Sequence, residues 1–424
     1  MDVQSIRADF PILERKIGGK PLIYLDNAAT TQRPRQVLRT IQEFYRTYNA
    51  NIHRSPHTLG QEATELYDQA HENVARFIGA DDGREVVFVR NTTEAINLVA
   101  YSLLVGGSER WRLRRGDEVV VTVTEHHANL VPWQMVREQT GAILRGVGIH
   151  DDGTLDLEQL REAISERTRL ICCAHVSNVL GTINPVREIS QLAQQVGALF
   201  LIDGAQSAPH MPVDVKEIGC DFFAFSGHKM LAPMGIGALY GRRELLEEMA
   251  PFLYGGDMIS DVTMERATWN KLPWKFEAGT ANVCGGIALG GATDVRTGRH
   301  LEGAIDYLER MGMAEVRAHE RELTGYALEG VRSIEGIRVY GPLDLEKRSG
   351  VLGFSVEHSD SHLVAQLLND EGIAVRAGGH CAHPLADRLE IEGTVRASFY
   401  VYNTKNEVDR FLKVLDDIVQ HRLV

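Results

Sequence analysis

Leu199-Phe200-Leu201-Ile202-Asp203-Gly204-Ala205-Gln206 is followed a short way downstream by Phe222-Phe223-Ala224-Phe225-Ser226-Gly227-His228-Lys229. Each stretch opens with an apolar run short enough for a buried strand and ends abruptly in groups that can do chemistry. An aspartate closes the first run, and a lysine stands just beyond the second with Ser226 and His228 beside it. Ligand groups in an open α/β sheet gather at the carboxyl ends of strands. The two runs therefore predict a parallel sheet with a site along one edge.

The same pattern spreads outward over residues 85–240. Residues 85–89, 118–123, 143–149, 170–176, 199–203, 222–226 and 236–240 read as strands, and 93–104, 155–164 and 185–196 as helices. The last of these helices has Pro185 at its start and Gly197 just past its end. Strands rich in Val, Ile and Phe with helices between them predict an α/β domain. Residues 251–282, rich in Gly, Trp and Met, break the rhythm and predict an excursion over the surface or across a dimer. Helical stretches over 287–311 and 316–331 then lead to 337–340, 351–356, 364–368 and 395–398, the pattern of a small α+β domain closed by a helix over 408–418. The expected division is a large domain over 21–299 and a small domain built from 1–20 and 300–424.

Bulk properties narrow the class. The 424 residues predict two or three domains, and 44% hydrophobic with 24% charged residues is ordinary globular composition. A net charge of -13 argues against a nucleic-acid backbone as main partner, since phosphate contacts need clustered Lys and Arg. The one short basic run, 110–115, reads as a solvated loop or helix end. No signal-peptide pattern or membrane-length apolar run is seen, and five scattered cysteines suggest no disulfide framework. A reduced, soluble, cytoplasmic protein is expected.

Lys229, just past a buried strand, suits a Schiff base, because desolvation disfavours its charged form. Asp203 suits a pyridinium nitrogen. Together these are what pyridoxal 5'-phosphate requires of a protein. Asn91-Thr92-Thr93-Glu94 follows a strand and opens a helix, and reads equally as a phosphate seat or a simple N-cap. Glu125-His126-His127 follows another strand, so an imidazole there could lie on the cofactor ring. Adjacent histidines could also suggest zinc, but no ligands recur at a zinc spacing, and no metal is expected. Cys172 and Cys173, adjacent in an apolar strand, are expected in the core on opposite faces, and Cys220 and Cys284 are expected to be buried too.

The order and spacing of these motifs resemble the class V (fold type I) pyridoxal phosphate enzymes, and within them the SufS-type, or group II, cysteine desulfurases. The resemblance rests on Ile6-Arg-Ala-Asp-Phe-Pro-Ile-Leu, Tyr24-Leu-Asp-Asn-Ala-Ala-Thr, Glu125-His-His-Ala-Asn, His175-Val-Ser-Asn-Val-Leu-Gly, Phe225-Ser-Gly-His-Lys, Phe276-Glu-Ala-Gly-Thr and Tyr402-Asn-Thr, and so covers nearly the whole chain. It implies that Lys229 carries the cofactor and moves protons, that His126 stacks on the ring, that Asp203 pairs with its nitrogen and that Gln206 meets its phenolic oxygen. It further implies a phosphate held by Thr92, Thr93, Ser226 and His228, with Thr280 entering from the second subunit of a homodimer. Asn178 and Arg396 would hold the substrate carboxylate. Outside the resemblance, Arg396 reads as an ordinary surface arginine.

Cys381, in Arg376-Ala-Gly-Gly-His-Cys, narrows the class further. The corresponding cysteine of the family takes sulfur from L-cysteine as a persulfide, releases alanine and passes the sulfur toward iron–sulfur cluster assembly. Arg376 and His380 nearby could favour the thiolate, and Arg376 also joins the expected substrate-binding set. Where the family pattern carries two histidines before this cysteine, this chain has Gly379-His380. The resemblance implies a SufE-like or zinc-containing SufU-like acceptor. His362 matches a histidine offered to such a zinc, or reads as a solvated residue at a helix start. Rival expectations on the same scaffold are a selenocysteine lyase, and an aminotransferase or β-lyase in which Cys381 is incidental. A sulfur-carrying interaction partner with negligible turnover alone is a rival of another class.

Overall fold

The computed structural model describes residues 1–106 and 108–420, so the last four residues of the expected small domain lie outside the described residues. The central sheet comprises β1 (Val86–Val89), β2 (Glu118–Thr122), β3 (Ile143–Val147), β4 (Thr168–Ala174), β5 (Leu199–Asp203), β6 (Phe222–Ser226) and β7 (Gly237–Gly241). Their spatial order is β1-β7-β6-β5-β4-β2-β3. β7 alone runs antiparallel to its neighbours. Strands β1, β2, β5, β6 and β7 are buried along their length, which is why they read as continuous apolar runs.

Each face of the sheet has its own core. Phe200, Ile202, Phe223 and Phe225 enter one, against helices α1 (Thr58–Ile78), α4 (Val186–Val196) and α5 (Val283–Gly290). Leu199, Leu201, Phe222 and Ala224 enter the other, against α2 (Thr92–Val105) and α3 (Val131–Thr140). Cys173 and Cys172 divide between the two cores in the same way, as a period-two strand requires.

The expected helix over 287–311 is not continuous. It breaks after α5, where a short hairpin pairs Ala292–Thr293 with His300–Leu301, and resumes as α6 (Ala304–Met311) and α7 (Met313–Ser333). Gly291 has φ of 74°, and a Cβ there would meet the Asp306 carboxylate at 1.7 Å. The chain turns where only glycine fits. The excursion over 251–282 contains an exposed antiparallel hairpin of Ile259–Val262 and Ala267–Trp269.

A second, antiparallel sheet holds β8 (Ile337–Tyr340), β9 (Val351–Val356), β10 (Arg376–Gly378) and β11 (Thr394–Ser398) in the order β8-β9-β11-β10. Apolar side chains of α7, α8 (Ser361–Asp370) and α10 (Lys405–Gln420) cover it; α9 (His383–Leu389) stands between β10 and β11 in the chain. Ile23 pairs with Ile373 in parallel, and Asp26 bridges to Ser398. That pairing carries Asp26 and Ala28 to the junction of the two sheets. No helix among the described residues is long and apolar enough to cross a membrane.

Candidate active site

The carboxyl ends of β1, β2, β4, β5 and β6 open into one cavity of about 480 Å³. Thr92 and Thr93 reach it after β1, His126 after β2, Asn178 after β4, Asp203 and Gln206 at the end of β5, and Ser226, His228 and Lys229 at the end of β6. Arg376, His380, Cys381 and Arg396 close it from the second sheet and its loops. Asn91 caps α2 by accepting from the Glu94 amide at 3.0 Å, which leaves the helix's positive end at the cavity. Ser226 Oγ accepts from the Thr92 amide at 2.9 Å and lies 2.7 Å from Thr92 Oγ1, so a hydroxyl pair spans two strand ends.

Burial dominates the electrostatics. It brings Lys229 down to about 8 against the opposing pull of Asp203. Burial also raises Asp203, and the charge of Lys229 counters it. Gly204 is dictated by packing, since a Cβ there would lie 2.1 Å from the Phe223 ring. His126 falls to about 4 through burial and then Lys229, so its ring is neutral. Its Nδ1 accepts from the Ala128 amide at 3.1 Å, which puts the proton on Nε2. His228 falls to about 4 for the same leading reason, and its carbonyl is held by the Thr31 amide at 3.0 Å.

Arg396 departs from its reading as a surface residue. It is 2% exposed on β11, and burial lowers it to about 10. One guanidinium nitrogen donates to the Asn178 carbonyl at 2.9 Å and another to Asp26 at 3.3 Å. Its Nε has no partner, nor do Oε1 of Gln206 and Nδ1 of His380. Three orphaned polar atoms in the wall of one cavity are what a polar ligand would satisfy. The cavity wall as a whole, with Lys229, Asp203, the Thr92 and Ser226 hydroxyls and Arg396, fits a flat, phosphate-bearing cofactor together with an amino-acid carboxylate.

Residues 23–411 match the aminotransferase class-V family. The chain belongs to that family. It is 49% identical over 416 residues to a probable cysteine desulfurase of Halalkalibacterium halodurans, covering 98% of each chain. It is 48% identical to a cysteine desulfurase of Haloferax volcanii, covering 98% of this chain and 96% of that one. Among solved structures, the apo cysteine desulfurase of Thermococcus onnurineus superimposes with a TM-score of 0.90 at 40% identity, over 99% of this chain and 98% of the other. The cysteine desulfurase CsdA of Escherichia coli, solved as an S-sulfonic acid, gives 0.87 at 38% identity over 99% of each.

Within this class-V scaffold Cys381 stands apart from the other cysteines, because it is exposed and they are buried. Its neighbours His380 and Cys381 itself have φ of 49° and 58°, in the left-handed region. Arg376 is also exposed, 3.9 Å from Asp26. His362 is exposed at the start of α8, and a Cβ on Gly378 would lie 3.3 Å from its Nε2, so the ring sits against the strand leading to Cys381. Thr280 is exposed and outside this chain's cavity. No cluster of metal-ligating side chains occurs among the described residues.

One residue of the neighbourhood was legible only as part of a motif. Glu125 is fully buried beside His126, and burial pushes it up to about 8. It accepts from Thr122 Oγ1 at 2.6 Å, the Ala174 amide at 3.0 Å and Asn129 Nδ2 at 2.6 Å, tying β2 to β4 beneath the cavity. A carboxylate among polar letters gives no sign of burial. Only its place directly after a buried strand could have suggested it.

Proposed function

We propose that this chain is a pyridoxal phosphate-dependent L-cysteine desulfurase of the SufS type. The observation that carries the reading is one cavity shared by a half-buried lysine, an aspartate at the next strand end and an exposed cysteine. Thr92, Thr93, Ser226 and His228 suit the cofactor phosphate, Asp203 its ring nitrogen, Gln206 its phenolic oxygen and His126 its face. When bound, the cofactor supplies an electron sink for bonds breaking at Cα. Arg396, with Asn178 and Arg376, binds the carboxylate of L-cysteine, the three side chains lining the cavity together. Lys229, lowered by burial to about 8, takes the Cα proton and returns it. The Cys381 thiolate bonds to the substrate sulfur as the Cβ–S bond breaks. Protons delivered to Cβ and Cα complete alanine, and the enzyme is left as a persulfide.

The persulfide then passes to a SufU-like or SufE-like acceptor for iron–sulfur cluster assembly. The exposure of His362 beside Gly378 supports a role for it in meeting a partner's zinc. A homodimer is supported by the exposed apolar hairpin, where Val262 is 57%, Met264 97% and Trp269 40% exposed. Across that dimer Thr280 would complete the phosphate seat. Five free thiols support a cytoplasmic setting. The proposed domain division, 21–299 against 1–20 with 300–424, is supported at the amino end by an ion pair of 2.9 Å between Arg7 and Glu407.

The test is release of alanine and sulfide from L-cysteine with a thiol reductant, comparing wild type, Cys381→Ala and Lys229→Ala, with L-selenocysteine in parallel. Loss of cysteine turnover in both variants supports the desulfurase. Alanine from selenocysteine alone, or undiminished turnover of cysteine without Cys381, would move the assignment to a lyase.

A further inference from the structure

The loop carrying Cys381 holds two consecutive non-glycine residues in the left-handed region, His380 and Cys381. Such a conformation persists only where its surroundings over-determine it. Asn178 Nδ2 donates to the His380 carbonyl at 2.9 Å, and His380 Nε2 lies 2.9 Å from Thr394 Oγ1. On the other side, the His127 amide donates to the Cys381 carbonyl at 2.8 Å. The fourth hold is made by His383, the first residue of α9. Its Nδ1 lies 2.9 Å from Nε2 of His127, and the two rings stack at 4.7 Å with an angle of 24° between their planes.

The protonation pattern of this pair follows from the backbone. The His383 amide also points at Nε2 of His127, at 3.4 Å, so that nitrogen is an acceptor and His383 Nδ1 carries the shared proton. Burial and the charge of His383 both hold His127 below its usual value, in keeping with a neutral acceptor ring. The other edge of the His383 ring covers Gly379. A Cβ built on Gly379 would lie 3.7 Å from His383 Cδ2 and 3.8 Å from its Nε2. A side chain at 379 would thus start in van der Waals contact with the imidazole of 383.

We propose that His383 is a positioning residue: bonded to His127 and lying over Gly379, it clasps the loop so that the Cys381 thiol stays at the cavity. The inference rests on the reading that Cys381 accepts the sulfur. It links that loop to the residue next to His126, and so joins the sulfur-accepting group to the wall of the cofactor cavity. Misplacing a reacting group by about an ångström lowers a rate by about 100-fold, which sets the upper end of the expected effect.

The experiment is a steady-state comparison of the holoenzyme as wild type, His383→Ala, His383→Gln, Gly379→His/His383→Ala and Cys381→Ala. His383→Ala is expected to lower kcat by roughly 10–100-fold with KM for L-cysteine and the cofactor absorbance unchanged. His383→Gln, which keeps a donor toward His127, recovers most of the rate. So does the double variant, whose imidazole enters the same space from position 379. Because the other four cysteines are buried, iodoacetamide labelling of the native apo chain reports on Cys381, and it is expected to speed up in His383→Ala. An unchanged kcat in His383→Ala, or a loss that neither substitution recovers, overturns the clasp while an inactive Cys381→Ala leaves the desulfurase reading standing. Full turnover in Cys381→Ala overturns that reading and the clasp with it.

Discussion

Lys229 and Cys381 face one cavity but are held in opposite ways. Lys229 stands at the end of a buried strand, in a short turn whose geometry is fixed by the sheet beneath it. It is half-buried at the cavity wall, and partial loss of solvent lowers its amine to about 8. Cys381 is exposed, on a loop between β10 and α9 that reaches the cavity through backbone hydrogen bonds and a histidine pair. A group that moves protons gains from desolvation, whereas one that must hand sulfur to another protein has to remain reachable. On the proposed function, the first task falls to the parallel sheet and the second to a loop of the smaller one.

The contrast can be broken from either side. Lys229→Ala should lower alanine formation by roughly 10⁴-fold, the upper range for a lost acid–base group, and should abolish the covalent retention of the cofactor that wild type shows on denaturing gel filtration after borohydride reduction. Cys381→Ala should lower turnover of L-cysteine by roughly 100-fold or more, yet leave cofactor absorbance intact, separating the two tasks. Arg396→Lys keeps a charge but loses the planar fork, so KM for L-cysteine should rise by about 10–100-fold, read from steady-state kinetics.

A pH series sharpens the Lys229 half. The unprotonated amine is the nucleophile, so cofactor loading by the apo chain should speed up as pH rises through about 8, rather than through the usual 10.5. In the same window the unfolded chain binds the proton that the folded chain has lost, so this group alone makes stability rise with pH. Stopped-flow absorbance reads the first effect and chemical denaturation at several pH values the second. The smallest effect is expected at Glu125, where a carboxyl raised to about 8 is protonated near neutrality. Glu125→Gln should change the unfolding free energy by less than about 1 kcal/mol, while Glu125→Leu strands its donors and should lose about 1–3 kcal/mol by urea denaturation.

How much of this was legible in the sequence follows from the same contrast. Strands buried on both faces announce themselves as apolar runs, so the strands and the mainly parallel sheet could be read directly, while most roles at the strand ends came only with the family resemblance. The helical reading of 287–311 failed because the chain turns at Gly291, packed against the remote Asp306 carboxylate, a contact that no local periodicity reveals. Arg396 looked like a surface residue because its burial depends on Asn178 and Asp26, both remote in the chain. His383 carried no signal at all. Its meaning comes from lying over Gly379 and against His127, a meeting that exists only once two sheets are docked.

The most direct test of the account is peptide mass analysis after one turnover of the holoenzyme with L-cysteine and no reductant. One added sulfur atom on the peptide containing Cys381, in wild type and not in Lys229→Ala, is the predicted result. Alanine formed in stoichiometric amount with no sulfur on Cys381 would contradict it.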